Sequence, residues 1–170
     1  MKCKLLSLAA ATILFFSCGT TYTSTTSNAA MGLPQNVRNS FITLYPDASN
    51  VSYTHFDAAT APIDWELAGW TALGTNDYVV TFDQGNQKYY AWFDANGAWV
   101  GTAYAVNATM LPLAVSNLLR EKYDAYTIES IQRESWKDKS AYEIKLKSTD
   151  DTKVKLLVDA SGNIIKEKSA

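Results

Sequence analysis

Two kinds of apolar spacing run along this chain, and each occurs twice in the same order. Val37, Phe41, Leu44 and Tyr45 fall at i, i+4, i+7 and i+8, one stripe of an α-helix. Val115, Leu118, Leu119 and Tyr123 do nearly the same. The segments Leu33-Pro34-Gln35-Asn36-Val37-Arg38-Asn39 and Leu111-Pro112-Leu113-Ala114-Val115-Ser116-Asn117 share Leu, Pro, Val and Asn at one spacing. Proline suits the first helical turn, where its missing N–H is not needed. Pro46 closes the first helix.

After each helix the spacing drops to two. Tyr78-Val79-Val80-Thr81-Phe82 corresponds to Tyr142-Glu143-Ile144-Lys145-Leu146, and Phe93-Asp94-Ala95-Asn96-Gly97 to Val158-Asp159-Ala160-Ser161-Gly162. Asp-x-x-Gly between β-rich runs marks a hairpin: Asp opens the turn and Gly takes the left-handed position. Asp83-Gln84-Gly85-Asn86 and Ser148-Thr149-Asp150-Asp151 mark the preceding hairpins. First strands are expected near Ser49 to Thr54 and Ile128 to Glu134. Tyr142, Ile144 and Leu146 alternate with Glu143, Lys145 and Lys147, so one side packs on the helix and the other is solvated. The expected fold is α+β: two tandem units, residues 33–107 and 108–170, each one helix packed on a small, about four-stranded, antiparallel sheet.

The N-terminus adds an address. Met1-Lys2-Cys3-Lys4 precedes an uncharged run from Leu5 to Phe16, then Ser17-Cys18-Gly19. A basic start, a run of about 12 apolar residues and a small residue form a secretory signal; spanning a bilayer needs about 20. Phe15-Phe16-Ser17-Cys18 resembles a bacterial lipobox, departing from its usual Leu at Phe15. This predicts a signal peptide over 1–17, lipidation of Cys18 and a flexible Thr/Ser-rich tether over 18–32. Ordinary cleavage near Ala29-Ala30 is the alternative. The expected location is the periplasm or outer membrane, with membrane contact only through the lipid.

Composition narrows the function classes. The chain has 170 residues, 47% apolar and 19% charged, which suits a folded protein. With 15 basic and 17 acidic residues it lacks the basic excess of a nucleic-acid binder. Between Ala48 and Val106 the only Lys or Arg is Lys88, whereas Lys is frequent after Arg120. Beyond Cys18 there is no cysteine, hence no disulfide in the mature domain. The single His55 and the missing Gly-x-Ser-x-Gly elbow leave no triad or zinc set. Asp94 and Asp159 read as turn residues, not calcium ligands. Asp57, Asp64 and Glu66 read as solvated loop acids. No cofactor, metal or enzymatic activity is expected.

The repeated Leu-Pro-x-x-Val helix start, the Tyr-Pro or Tyr-Asp helix end and the Asp-x-x-Gly hairpin together resemble the PepSY-like, β-lactamase-inhibitor-like family, over about Leu33 to Lys168. The resemblance implies a small exported protein, often a lipoprotein, with a binding or inhibitory role and no enzyme activity. It does not name the target.

The two units differ at two places. Outward positions Val79, Thr81, Lys88, Tyr90 and Trp92 correspond to Glu143, Lys145, Lys153, Lys155 and Leu157, so a lysine face becomes an aromatic one. Trp99 or Val100 joins it, and Tyr104 with them, depending on a bulge near Gly97. The gap from His55 to Asp77 is about twice its counterpart and carries Trp65 and Trp70. Tyr90, Trp92, Trp99, Tyr104, Trp65 and Trp70 are therefore the candidate contacts for a protein or peptide of the cell envelope. A small-ligand pocket between the 55–77 loop and the first sheet is the alternative. The plainer reading is that the loop caps the sheet and buries Trp65 or Trp70 on Tyr90 and Trp92. A third possibility is that the units pair their sheets with each other or with a second chain.

Overall fold

A computed structural model describes residues 32–169. The expected signal peptide, Cys18 and nearly all of the expected tether lie outside the described residues. Helix α1 spans Gln35–Leu44 and is followed by strands β1 (Ser49–His55), β2 (Tyr78–Gln84), β3 (Gln87–Phe93) and β4 (Trp99–Ala105). A short helix α2 (Trp65–Ala68) lies within the β1–β2 connection. Helix α3 (Leu113–Lys122) precedes β5 (Tyr126–Trp136), β6 (Lys139–Ser148), β7 (Lys153–Val158) and β8 (Ile164–Ser169).

The strands do not form two small sheets. They make one antiparallel sheet of eight in the order β1 to β8. The join is β4 with β5, where Thr102, Ala103, Tyr104 and Ala105 pair with Ser135, Glu134, Arg133 and Gln132. Long strands explain it. β5 runs 11 residues, well beyond the expected Ile128 to Glu134, so its far half reaches β4 and covers what would be two open edges.

Both helices lie on one face. Val37 and Phe41 of α1 pack with Val51, Val80, Phe82, Ala91 and Phe93. Val115 and Leu119 of α3 pack with Ile131, Ile144, Leu146, Leu156 and Val158. Burying a side chain such as Phe82 contributes about 2–3 kcal/mol. The stripe of α1 is narrower than the spacing predicts, because Leu44 is left exposed near its C-terminus. The two Asp-x-x-Gly turns are built alike. Asp94 Oδ1 accepts from the N–H of Asn96 and Ala98, and Asp159 Oδ1 from those of Ser161 and Asn163. Each turn presses on a helix start: Gly97 (φ 85°) against the backbone of Asn36, Gly162 (φ 83°) against Ala114. A side chain there would face both the strained φ and a clash.

Candidate functional site: the covered face of the sheet

The opposite face carries Val79, Tyr90 and Trp92 from the first four strands and Glu134, Ala141, Glu143, Lys145 and Leu157 from the last four, as the cross-strand register requires. It is not open. Residues 56–77 fold back across it. Their ends meet, the Phe56 N–H donating to the Asp77 carbonyl at 2.8 Å, so the segment is closed at its neck. Asp64 caps α2 by accepting from the Leu67 N–H, and Gly69, at φ 65°, ends it in the left-handed conformation.

The loop has an apolar end and a charged end. At the apolar end Phe56, Ile63, Ala68 and Trp70 pack with Trp92 and Ala103. Trp65, Trp70 and Trp92 are mutually within 5.2 to 5.5 Å, ring centre to ring centre, with steep tilts between the rings. Trp70 lies directly on Gly101, where even a Cβ would come within 2.3 Å of the indole. Leu67 reaches further, onto Ala141 and Leu157 of the last four strands.

At the charged end Lys145, Lys155 and Lys168 stand side by side on β6, β7 and β8. Asp64 Oδ2 lies 2.8 Å from Lys155 Nζ and 3.4 Å from Lys168 Nζ. Glu66 Oε2 lies 2.6 Å from Lys168 Nζ, and the Glu66 carbonyl accepts from Lys166 at 2.8 Å. Burial raises the Asp64 pKa, but the Lys155 hydrogen bond, the Leu67 N–H and the charges of Lys155 and Lys168 outweigh it and hold it at about 2.

Between the two ends lies a buried carboxyl pair. Glu134 is 0% and Glu143 1% exposed. Glu143 Oε2 accepts the Asp64 N–H at 2.6 Å, and its Oε1 has Lys145 Nζ at 3.5 Å. No donor reaches either Glu134 oxygen among the described residues. Burial first, and then the adjacent Glu143, push Glu134 up to about 9; a proton held on it has Glu143 as acceptor. The indole N–H groups of Trp65 and Trp70 are also buried without a partner among the described residues.

The structure separates the six aromatic residues singled out from sequence. Trp92 (1% exposed) and Trp70 (7%) are sealed between loop and sheet and present no surface. Tyr90 and Trp65 are half-buried on the same face. Trp99 and Tyr104 are on the helix side. An irregularity between Trp92 and Phe93 pairs Phe93 with Trp99, turning Trp99 toward the first helix and leaving Val100 on the loop side. Trp99 Nε1 donates to Thr102 Oγ1, and Tyr104 accepts from Arg133. Asp64 and Glu66 are not merely solvated loop acids, since both tie the loop to lysines. Sequence reasoning missed Glu134, Glu143 and the three lysines, because alternation alone assigns them to solvent. Among the described residues no three His, Cys, Asp or Glu gather as a metal site, and no helix is long and apolar enough to cross a membrane.

Comparison with known proteins fits this architecture. The family described as "Putative beta-lactamase-inhibitor-like, PepSY-like" matches residues 76–166, from just before β2 into β8. The chain belongs to the PepSY-like family. Solved structures share its fold at low identity. A BLIP-like protein from Bacteroides fragilis is 20% identical, with a TM-score of 0.63 over 81% of this chain and 86% of the other. A protein from Bacteroides eggerthii, described as "putative periplasmic", is 15% identical, with a TM-score of 0.62 over 80% and 88%. No curated protein matches the sequence. The family match begins at residue 76 and so omits most of the loop that covers this PepSY-like sheet.

Proposed function

We propose that this PepSY-like chain is a non-enzymatic, exported envelope protein, lipid-anchored at Cys18 and assembled from two tandem helix-plus-sheet units, that binds another protein or peptide. The binding surface is the sheet face opposite the helices, which presents Tyr90 and Trp65 while the 56–77 loop is closed and Trp70 and Trp92 only once the loop lifts. The observation that carries this reading is the makeup of that face: Trp65, Trp70 and Trp92 clustered beside a row of three lysines. Aromatic side chains are enriched at interface centres, and a charged row at the rim adds charge complementarity. The BLIP-like and periplasmic descriptions of the fold neighbours agree with an inhibitor-like, exported role.

A small-ligand pocket between the loop and the first sheet fits less well, although the loop's charged end borders an open cleft of about 350 Å³ beside Lys145 and Lys155. Between the loop and the first four strands the space near Val79, Thr81, Tyr90 and Trp92 is about 110 Å³. Ligand pockets generally run to about 300–1,000 Å³.

Site-specific photocrosslinking in native envelopes tests the reading. Probes replacing Trp65 or Tyr90 should give a discrete protein adduct, and probes at Leu44 or Leu113 on the helix side should not. Adducts from the helix side alone would overturn it. Fatty-acid labelling lost in Cys18→Ala tests the anchor.

A further inference from the structure

We propose that residues 56–77 are a displaceable internal ligand of the sheet face, occupying the place of an acidic partner segment that carries tryptophan or leucine anchors. The partner half of this statement rests on the reading that the chain binds a protein; the displaceable loop does not.

Three observations lead here. The first is complementarity of charge and shape. The loop has the makeup of a short binding peptide, with Asp64 and Glu66 set among Ile63, Trp65, Leu67 and Trp70. The sheet supplies the counterpart: Lys155 and Lys168 for the acids, a bare Gly101 under Trp70, and Ala141 and Leu157 under Leu67. Small residues at 101 and 141 leave the hollows that two bulky side chains fill. Whatever replaces the loop must present the same chemistry: carboxylates for the lysines and large apolar groups for the hollows.

The second is attachment. The segment joins the sheet by side chains and a single neck, not by a strand. Its internal backbone bonds, such as Ala68 N–H to the Asp64 carbonyl and Gly69 N–H to the Trp65 carbonyl, would travel with it. β1 and β2 stay paired up to His55 with Tyr78, so the sheet does not depend on the loop for its register. The neck bond between Phe56 and Asp77 marks the hinge.

The third is incomplete satisfaction. Trp65 Nε1 and Trp70 Nε1 are buried at this interface without partners among the described residues. Native interiors pair such groups almost everywhere, because each unpaired one weakens the closed state. Water would accept from both indole N–H groups once the loop lifts. The interface is thus specific in shape and poorly satisfied in polarity, which suits an occupant meant to leave.

The test uses the loop's own sequence as probe. In the full chain, residues 57–76 are replaced by an Asn-Gly turn, which the Phe56–Asp77 neck accommodates as a two-residue hairpin. A capped synthetic peptide of residues 61–71 is added in trans and binding is read by calorimetry. The loop-replaced chain should bind this peptide and the wild type should not. Lys155→Ala with Lys168→Ala should weaken binding about tenfold or more, as should alanine at both peptide acids. Gly101→Val in the loop-replaced chain should abolish binding by filling the Trp70 hollow. A folded loop-replaced chain that ignores the peptide overturns the proposal. If that chain does not fold, hydrogen exchange on the wild type decides. Amides of 64–70 exchanging well before those of β2, β3 and β6 support a displaceable loop; exchange of all of them only with global unfolding overturns it. Peptide binding with no envelope adduct would keep the internal ligand and remove the partner reading.

Discussion

The two faces of this sheet bury similar residues by different means. The helix face is closed by two regular helices that press Val37, Phe41, Val115 and Leu119 into an apolar layer. Its polar groups are matched locally, as Thr102 Oγ1 accepts from Trp99. The loop face is closed by a segment with one four-residue helix. Its interior holds a carboxyl pair and two indole N–H groups without partners among the described residues, and its edge carries a row of partly exposed lysines. One face is a core that folding requires. The other is a cover whose stability depends on charge and protonation. That difference locates the adaptable part of the molecule.

The comparison breaks most sharply with a core truncation on each side. Phe82 is fully buried and meets Phe41 at 5.1 Å and Tyr45 at 4.6 Å, ring centre to ring centre. Phe82→Ala should destabilise the protein by about 3–5 kcal/mol and lower Tm by on the order of 10 °C. Leu67, 1% exposed beneath the loop, is as buried. Its truncation should cost only about 2 kcal/mol in global stability, near the low end for a core leucine, because the loop can lift and relax. Equal losses in chemical denaturation would erase the distinction between the faces.

Protonation gives the next largest effect. Glu134 is held protonated up to about 9, against an ordinary 4.5. An acid whose pKa is raised by folding contributes stability fully present below 4.5 and lost as pH climbs through about 9. Across that window stability should fall by about 1.4 kcal/mol per pH unit. Glu134→Gln keeps the shape and removes the titration. It should be more stable than wild type at pH 7 and lose less stability between pH 5 and 8.5. Denaturant titrations across that range check both expectations. A wild type as flat as the variant would mean that folding does not raise the Glu134 pKa.

Asp64 acts with the opposite sign. Its carboxyl sits at about 2, below its ordinary 3.8, and its side chain is only 9% exposed. Its contribution is present above 3.8 and lost as pH falls through about 2. Asp64→Asn should remove about 2 kcal/mol at neutral pH and abolish the acid-side loss in wild type between pH 4 and 2. Together the two groups predict greatest stability near pH 4 to 5. A wild-type maximum near pH 8 would contradict both assignments.

How legible this was in the sequence depends on how far each feature reaches along the chain. The helix starts at Pro34 and Pro112, the alternation through Val80, Phe82, Ile144 and Leu146, and the Asp-x-x-Gly turns are local, and they appear where the spacing places them. The outward parity of Tyr90 and Trp92 also emerges in the register. Three things did not follow. The join of β4 to β5 depends on how far β5 extends, and alternation does not mark where a strand ends. Trp99 and Tyr104 turn to the helix side because one irregularity shifts the parity. Glu143 reads as an exposed strand residue because what covers it is Asp64, 79 positions earlier. Burial imposed by a distant loop leaves no periodicity at the position it buries.

The smallest predicted effect separates two lysines on neighbouring strands. Lys155 is a quarter exposed and meets the nearly buried Asp64 at 2.8 Å. Lys147 meets Asp151 at a shorter 2.6 Å, but the partners are 39% and 81% exposed. Distance alone favours Lys147; burial favours Lys155. Water screens an exposed pair, and two long side chains lose freedom in making it, so Lys147→Ala should change stability by less than about 0.5 kcal/mol. Lys155→Ala leaves Asp64 with the more distant Lys168 and should cost about 1–2 kcal/mol. Raising sodium chloride from about 0.05 to 1 M should erase what little Lys147 contributes and leave most of the Lys155 effect. Equal, salt-sensitive losses at both positions would mean that the loop does not shield Asp64, and the lysine row would be solvated like the rest of the surface.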